Sequence, residues 1–253
     1  MMRRRVAAAV AAALLLAGCS PADGGGPAAP GDEPTAALTI ASAASLAEAM
    51  ATIAEAFERT RPGIDVRPIV SDGSATLATQ IRAGAPYDVF VSADEPSMAG
   101  VAELVGEPVP LATNRLVIVV PSGNPGGVRG LADLADVSTV LCAPEVPCGA
   151  ASARLLALHG LDVRPVSLEQ SVRGVLAKVE ADAVDAGLVY STDAAASASV
   201  ETIAVAGAEQ VVNRAMAAVV LDSPEPQLAA ELVRFIAGDE GRAVLDGLGF
   251  GAP

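Results

Sequence analysis

The sequence predicts an α/β protein of two lobes, each a mostly parallel sheet flanked by helices, with a hinge of two crossover segments near Thr113 and Met216. Three observations lead there. Short β-rich runs alternate with helical periods from Leu38 onward. The pattern restarts after a Gly-rich turn beyond Pro121. A late apolar run, Ala215 to Leu221, followed by two helical stretches, reads as a return to the first lobe.

Leu38 to Ala41 reads as the first strand. Leu46, Met50, Ile53 and Phe57 then recur at helical spacing, which predicts an amphipathic helix over Ser45 to Thr60 that ends at Pro62-Gly63. Asp65 to Val70 and Asp88 to Ser92 read as strands around a helix from Ser74 to Ala83. Arg115 to Pro121 is the apolar strand that opens the second lobe. It is followed by strands at Val137 to Cys142, Val163 to Val166, Gly187 to Tyr190 and Thr202 to Val205, and by helices at Ala150 to His159 and Val172 to Glu180. Helices at Gln227 to Ala237 and Glu240 to Leu248 close the chain. The expected division is residues 37–113 with 217–253 in one lobe and 114–216 in the other.

The 253 residues carry 16 Lys and Arg against 30 Asp and Glu, a formal charge of −14. Such a body lacks the basic surface that nucleic-acid binding requires, so no nucleic-acid partner is expected. Trp is absent and aromatics are 2% of the chain, so the core must be built from small and aliphatic side chains. One His and one Lys leave little material for imidazole catalysis, His metal sites or a Schiff base. Composition favours a binder over an enzyme.

Met1 to Arg5 is basic, Val6 to Leu16 is apolar, and Leu16-Ala17-Gly18-Cys19 has small residues before the cysteine. Residues 1–18 therefore read as a signal peptide with a lipobox, and Cys19 as the acylated first residue of the mature chain. Residues 19–36, rich in Gly, Pro and Ala, read as a tether that holds an extracytoplasmic domain off the membrane. No later stretch is long and apolar enough to span a bilayer.

Four small or hydroxyl-bearing turns deliver the chain into helices: Ala43-Ala44-Ser45-Leu46, Gly73-Ser74-Ala75-Thr76-Leu77, Pro144 to Gly149, and Ser171-Val172-Arg173-Gly174. In α/β folds such turns lie beyond the carboxyl ends of the strands, where ligands bind, and their unpaired N–H groups suit an anion. Taken singly, Ser45 and Ser74 read as helix caps; four such turns together favour an anion site. Hydrogen bonds to a charged acceptor contribute about 1.5–3 kcal/mol each, so five to seven neutral donors can hold a dianion with a net of about 8–12 kcal/mol. The acidic body is no obstacle.

The first, second and fourth of those turns, with Gly84-Ala85-Pro86-Tyr87-Asp88-Val89-Phe90-Val91-Ser92-Ala93-Asp94 and Gly187-Leu188-Val189-Tyr190-Ser191-Thr192-Asp193-Ala194, give the chain a resemblance to the periplasmic molybdate-binding proteins of ABC uptake systems. The motifs run in order over nearly the whole mature chain. The resemblance implies a type II periplasmic binding fold, no catalysis and no cofactor, with molybdate or tungstate held between the lobes. Residue by residue, it implies Ser45 and Ser74 as donors through hydroxyl and backbone N–H, Cys148 and Val172 through backbone N–H, and Tyr190 through its phenol. It also implies an ABC permease as partner and a monomer tied to the membrane only by its lipid.

Tyr190 has a second reading as a core aromatic at the end of a buried strand. Arg173 reads as a solvated neighbour of the site, Asp88 and Asp94 as loop-orienting acids, and His159 as a helix C-terminal residue helped by the dipole. Cys142 and Cys148 depart from what the family leads one to expect. A disulfide is expected between them, since the C-x5-C spacing brings them into range if the loop turns back, and it would leave the Cys148 N–H free to donate. A metal pair lacks further thiol or imidazole ligands, a redox motif has a different spacing, and two free buried thiols are the remaining alternative. Among the matched positions none is Asp or Glu, which disfavours protonated phosphate, with Glu145 as the one acid close by; sulfate is separated only by size. A hydrolase using Ser45 or Ser74 would need His159 beside it, and a sensor lipoprotein would use the fold without transport.

Overall fold

The computed structural model describes residues 35–66 and 69–253. The signal and lipobox segment with Cys19, and nearly all of the 19–36 tether, lie outside the described residues. The first half runs β1 (Ala36–Leu38), β2 (Ile40–Ala43), a 3-10 turn (Ala44–Leu46), α1 (Ala47–Thr60), β3 (Ile64–Val66), β4 (Val70–Asp72), α2 (Ser74–Arg82), β5 (Val89–Ser92), α3 (Glu95–Ala99) and β6 (Val109–Asn114). The second half runs β7 (Leu116–Pro121), a 3-10 turn (Leu131–Ala135), β8 (Thr139–Cys142), α4 (Pro147–Leu158), β9 (Ser167–Glu169), α5 (Val172–Glu180), β10 (Ala186–Tyr190), α6 (Ser191–Ala195) and β11 (Val200–Ile203). A 3-10 turn (Ala208–Gln210), β12 (Asn213–Val219), α7 (Pro226–Ala237) and α8 (Asp239–Gly247) complete it.

Two five-stranded sheets carry the fold, in the orders β4-β2-β5-β12-β6 and β11-β7-β10-β8-β9. Each has three parallel strands, β4-β2-β5 in one and β9-β8-β10 in the other, and each is then extended by two antiparallel pairings. The sheets are thus mixed. The antiparallel members are the strands at the crossings, β6, β7, β11 and β12, where the chain enters or leaves a sheet without a covering helix and so need not run parallel. The first crossing is the single residue Arg115 between β6 and β7; the second lies between β11 and β12. Because β12 pairs with β5 and β6 from Asn213 onward, the return falls ahead of the expected Met216.

Several elements differ from the sequence reading for local reasons. The expected strand Asp65 to Val70 is two strands in different sheets, β3 beside β1 and β4 beside β2. The apolar run Val163 to Val166 is a loop: Val163 is buried but Val166 is 61% exposed, and the edge strand β9 follows it. α4 begins at Pro147, earlier than Ala150, because Pro lacks the N–H that a first helical residue cannot use. β6 passes unnoticed in the sequence because Pro110 sits within it, which an edge strand tolerates.

The helical period of α1 is kept, with Leu46, Met50, Ile53 and Phe57 all at or below 1% exposure. They pack with α7 and α8 against one face of the first sheet, where Phe57 meets Phe235 edge-on at 5.4 Å. α2 and α3 cover the other face through Leu77, Ile81 and Met98. Alanines at Ala41, Ala43, Ala217 and Ala218 are all but fully buried, so strands and helices approach closely where bulkier side chains would hold them apart. The second sheet has its own core of Val, Leu and Ile, centred on β7, β8 and β10.

Candidate anion-binding site

Segments at the carboxyl ends of six parallel strands face one small cavity. From the first sheet come Ala43, Ala44 and Ser45 after β2, Gly73 and Ser74 after β4, and Ala93 after β5. From the second come Val146, Pro147 and Cys148 after β8, Gln170, Ser171 and Val172 after β9, and Tyr190 at the end of β10. Ser45, Ser74, Cys148, Val172 and Tyr190 therefore lie around the same space. Its volume is about 20 Å3, close to what a water molecule needs, so no sugar- or amino-acid-sized guest fits the cleft as it stands.

Each turn brings backbone donors. α2 starts at Ser74 and its first closing bond is Leu77 N–H to Gly73 O, so the N–H groups of Ser74, Ala75 and Thr76 have no intrahelical acceptor. The same holds for Cys148 and Gly149, since Ala150 N–H is the first to close back, onto Val146 O. In α5 the cap Ser171 accepts from Gly174 N–H through its side chain, leaving Val172 and Arg173 N–H ahead of the closed turn. Ser45 sits in the 3-10 turn before α1, rather than inside a continuous α-helix.

The side-chain hydroxyls are held as donors. Ser74 Oγ accepts the Ala93 N–H at 2.9 Å, and Tyr190 Oη accepts from Asn213 Nδ2 at 2.6 Å. With an acceptor position filled on each oxygen, its own proton is free to point at a guest. Burial, and then the negative charges of Asp94 and Asp193, keep the Tyr190 phenol well above its ordinary pKa of 10, so it stays a protonated donor. Asn213 is itself fixed by Arg154 at 2.9 Å and by the Pro147 carbonyl at 3.3 Å.

The third turn is braced covalently. Cys142 and Cys148 are joined by a disulfide, with Cα atoms 5.7 Å apart, which ties the end of β8 to the first turn of α4. Close backbone approach completes the brace: a Cβ at Gly149 would stand 1.8 Å from the Ala143 oxygen, so only glycine fits there. Glu145 accepts from Gln170 Nε2 at 3.4 Å and does not line the cavity.

The other flagged residues have structural partners. Asp88 accepts from Thr39 N–H at 2.7 Å and from Ser223 Oγ at 2.5 Å, and Asp94 caps α3 by accepting from Ser97 N–H. His159 follows α4 and donates from Nε2 to the Ala206 carbonyl at 2.8 Å, away from both Ser45 and Ser74, neither of which it contacts. Arg173 Nε donates to Ala44 O at 3.1 Å, linking the second sheet's side of the cleft to the first.

A larger cavity of about 240 Å3 adjoins the site and shares Ser45, but Glu48, Arg173 and Asp193 line it. Asp193 is pushed up to about 7 by burial, with the Arg173 charge pulling the other way, and its Oδ2 makes no hydrogen bond among the described residues. Two carboxyl groups make that space a poor host for an anion.

Sequence reasoning missed Asn213 and Gln170, and gave no role of their own to Gly73 and Ala93 within the motifs it quoted; all four support or border the site. Asn213 and Ala93 act through contacts to residues 23 and 19 positions away, so no local pattern announces them.

The family of bacterial extracellular solute-binding proteins matches residues 38–251. The molybdate-binding protein ModA of Mycobacterium tuberculosis (strain H37Rv) is 41% identical over 222 residues, 85% of each chain. YvgL of Bacillus subtilis, described as a candidate ABC transporter substrate-binding lipoprotein, is 31% identical over 94% of each chain. Among solved structures, the periplasmic molybdate-binding protein of Azotobacter vinelandii aligns with a TM-score of 0.72 over 85% of this chain and 99% of its own, at 21% identity. The Mycobacterium tuberculosis sulfate-binding protein SubI aligns equally well, at 17% identity over 85% of this chain and 86% of its own, so the fold alone does not choose the anion. Two mixed sheets whose strand-end turns line one cavity, and a match along almost all of the described residues, have one explanation: the chain belongs to the family of bacterial extracellular solute-binding proteins.

Proposed function

We propose that this protein captures molybdate or tungstate between its two lobes and delivers it to an ABC permease, from an anchor at acylated Cys19. The observation that carries the reading is the character of the cavity lining: helix N-terminal N–H groups, two hydroxyls held as donors, and no carboxylate or protonated base. Molybdate, tungstate and sulfate are pure acceptors near neutral pH and suit such a set; hydrogen phosphate brings a proton that finds no carboxylate in the lining to accept it. The 41% identity to a molybdate-binding protein favours the larger oxyanions over sulfate.

On this reading the lobes are residues 37–113 with the segment from β12 to the C-terminus, and residues 116–203 as the second. They move about Arg115 and the stretch before Asn213. The turns of both sheets surround this small cavity, so on this reading capture requires the lobes to part and reclose round the ion. Ser45, Ser74, Cys148, Val172 and Tyr190 are the donors, and the protein performs no chemistry on its cargo. It acts as a monomer.

Calorimetric titration of the full chain with molybdate, tungstate, sulfate and phosphate in one buffer tests this. One-to-one binding of molybdate and tungstate, with sulfate about a hundredfold weaker or more, is the expected result. Sulfate binding as tightly as molybdate would make this a sulfate carrier, and no binding of any of the four would leave the sensor reading in front. Cell fractionation checks the anchor: Cys19→Ser should move the protein from membranes to the soluble fraction.

A further inference from the structure

We propose that Gly73 sets the closure of the cleft: by lacking a side chain, it lets the lobes meet at the carbonyl of Gln170 and so fixes how far they can shut. This rests on the capture reading above and adds a positioning residue to it. Gly73 caps α2 in the first lobe, Gln170 stands two residues ahead of α5 in the second, and both border the anion cavity. A Cβ at residue 73 would lie 2.3 Å from the Gln170 oxygen. The obstructing atom is backbone, so it cannot swing aside as the tip of a side chain would.

Glycine is not needed here for its own conformation. Its φ of −61° and ψ of 138° are open to any residue, unlike the positive φ of 82° at Gly84. The demand for an absent side chain therefore comes from the opposite lobe, and it exists only while the lobes are together. Nor is Gly73 an anion donor, because its N–H is given to Asp72 Oδ1 at 2.6 Å. Its contact with Gln170 and the bond from Arg173 to Ala44 join the lobes at two different turns of the same cavity. The first acts as a stop and the second as a tie.

Gly73→Ala adds one methyl group and tests the stop. Stopped-flow measurement on the full chain with molybdate should give an association rate within about threefold of wild type and a dissociation rate raised about 30-fold, because only the shut complex is penalised. Stoichiometry should remain one, and small-angle scattering should show a smaller ligand-induced compaction. Gly130→Ala, where a Cβ meets nothing within 4 Å, should behave as wild type.

An unchanged dissociation rate in Gly73→Ala overturns the proposal. So does a reduced binding stoichiometry with a normal dissociation rate, which marks a folding defect. If wild type binds none of the four anions, the capture reading has failed. The radius of gyration of the two ligand-free proteins then decides this one: a wild type no more compact than Gly73→Ala overturns the stop.

Discussion

Two cavities lie side by side around Ser45, and they are built from opposite materials. The smaller is lined by neutral donors, while the larger holds Glu48, Arg173 and a buried Asp193. In a chain of formal charge −14, the space proposed for the anion is the one whose lining has no residue of either formal charge. Fixed dipoles take the place of a counter-charge there. They are already oriented by helices and by Ala93 and Asn213, so the donors themselves need little reorientation to meet an anion. Glu48, Arg173 and Asp193 line the neighbouring space, where Arg173 Nε links to the Ala44 carbonyl of the first sheet's turn.

The sharpest way to break this contrast is to move a charge across it. Ser74→Asp puts a carboxylate where the donors converge and should abolish molybdate binding, a loss of about a thousandfold or more in titration. Ser74→Asp binding at wild-type strength would mean that the anion sits elsewhere. A gentler change removes one donor and keeps neutrality. Tyr190→Phe should weaken binding about 10- to 100-fold and lower stability by about 1–2 kcal/mol in chemical denaturation, since Asn213 Nδ2 loses its acceptor. A variant that loses stability but binds normally would assign Tyr190 to the core alone.

The smallest effect belongs to the charged side. The pKa of Asp193 is raised on folding from 3.8 to about 7, so folding favours its neutral form. The stability it contributes is fully present below its unfolded value and is lost as pH rises through the folded one. Melts of wild type and Asp193→Asn should agree near pH 4, and wild type should fall progressively behind up to about pH 7, with the gap constant above. The gap should be on the order of a few kcal/mol at most. A gap independent of pH would show that Asp193 is not a buried titrating group, and would weaken the contrast between the cavities.

Much of this was legible in the sequence, for identifiable reasons. Amphipathic helices such as α1 carry their own signal, because burial of Leu46, Met50, Ile53 and Phe57 follows directly from their spacing. The turns that line the cavity were visible because small and hydroxyl residues recur just ahead of helices. Edge strands were not: β6 contains a proline, and β9, Ser167–Glu169, has little apolar content. Neither was the support for the site. Ala93 orients Ser74, and Asn213 orients Tyr190, through bonds that exist only once the sheets are assembled. The requirement at Gly73 is equally tertiary, since its backbone angles are ordinary and its obstruction lies in another lobe.

The placement of Tyr190 has an optical consequence. The chain has no Trp and only two Tyr, so tyrosine emission is not drained by energy transfer to an indole. Tyr87 is engaged with Gln80 Oε1 and stands apart from the cavity lining, whereas Tyr190 faces it with a free phenolic proton. A guest that takes that proton as a hydrogen bond alters the excited state of one of just two fluorophores. On the proposed site, the protein would thus carry a built-in, label-free reporter of its own occupancy.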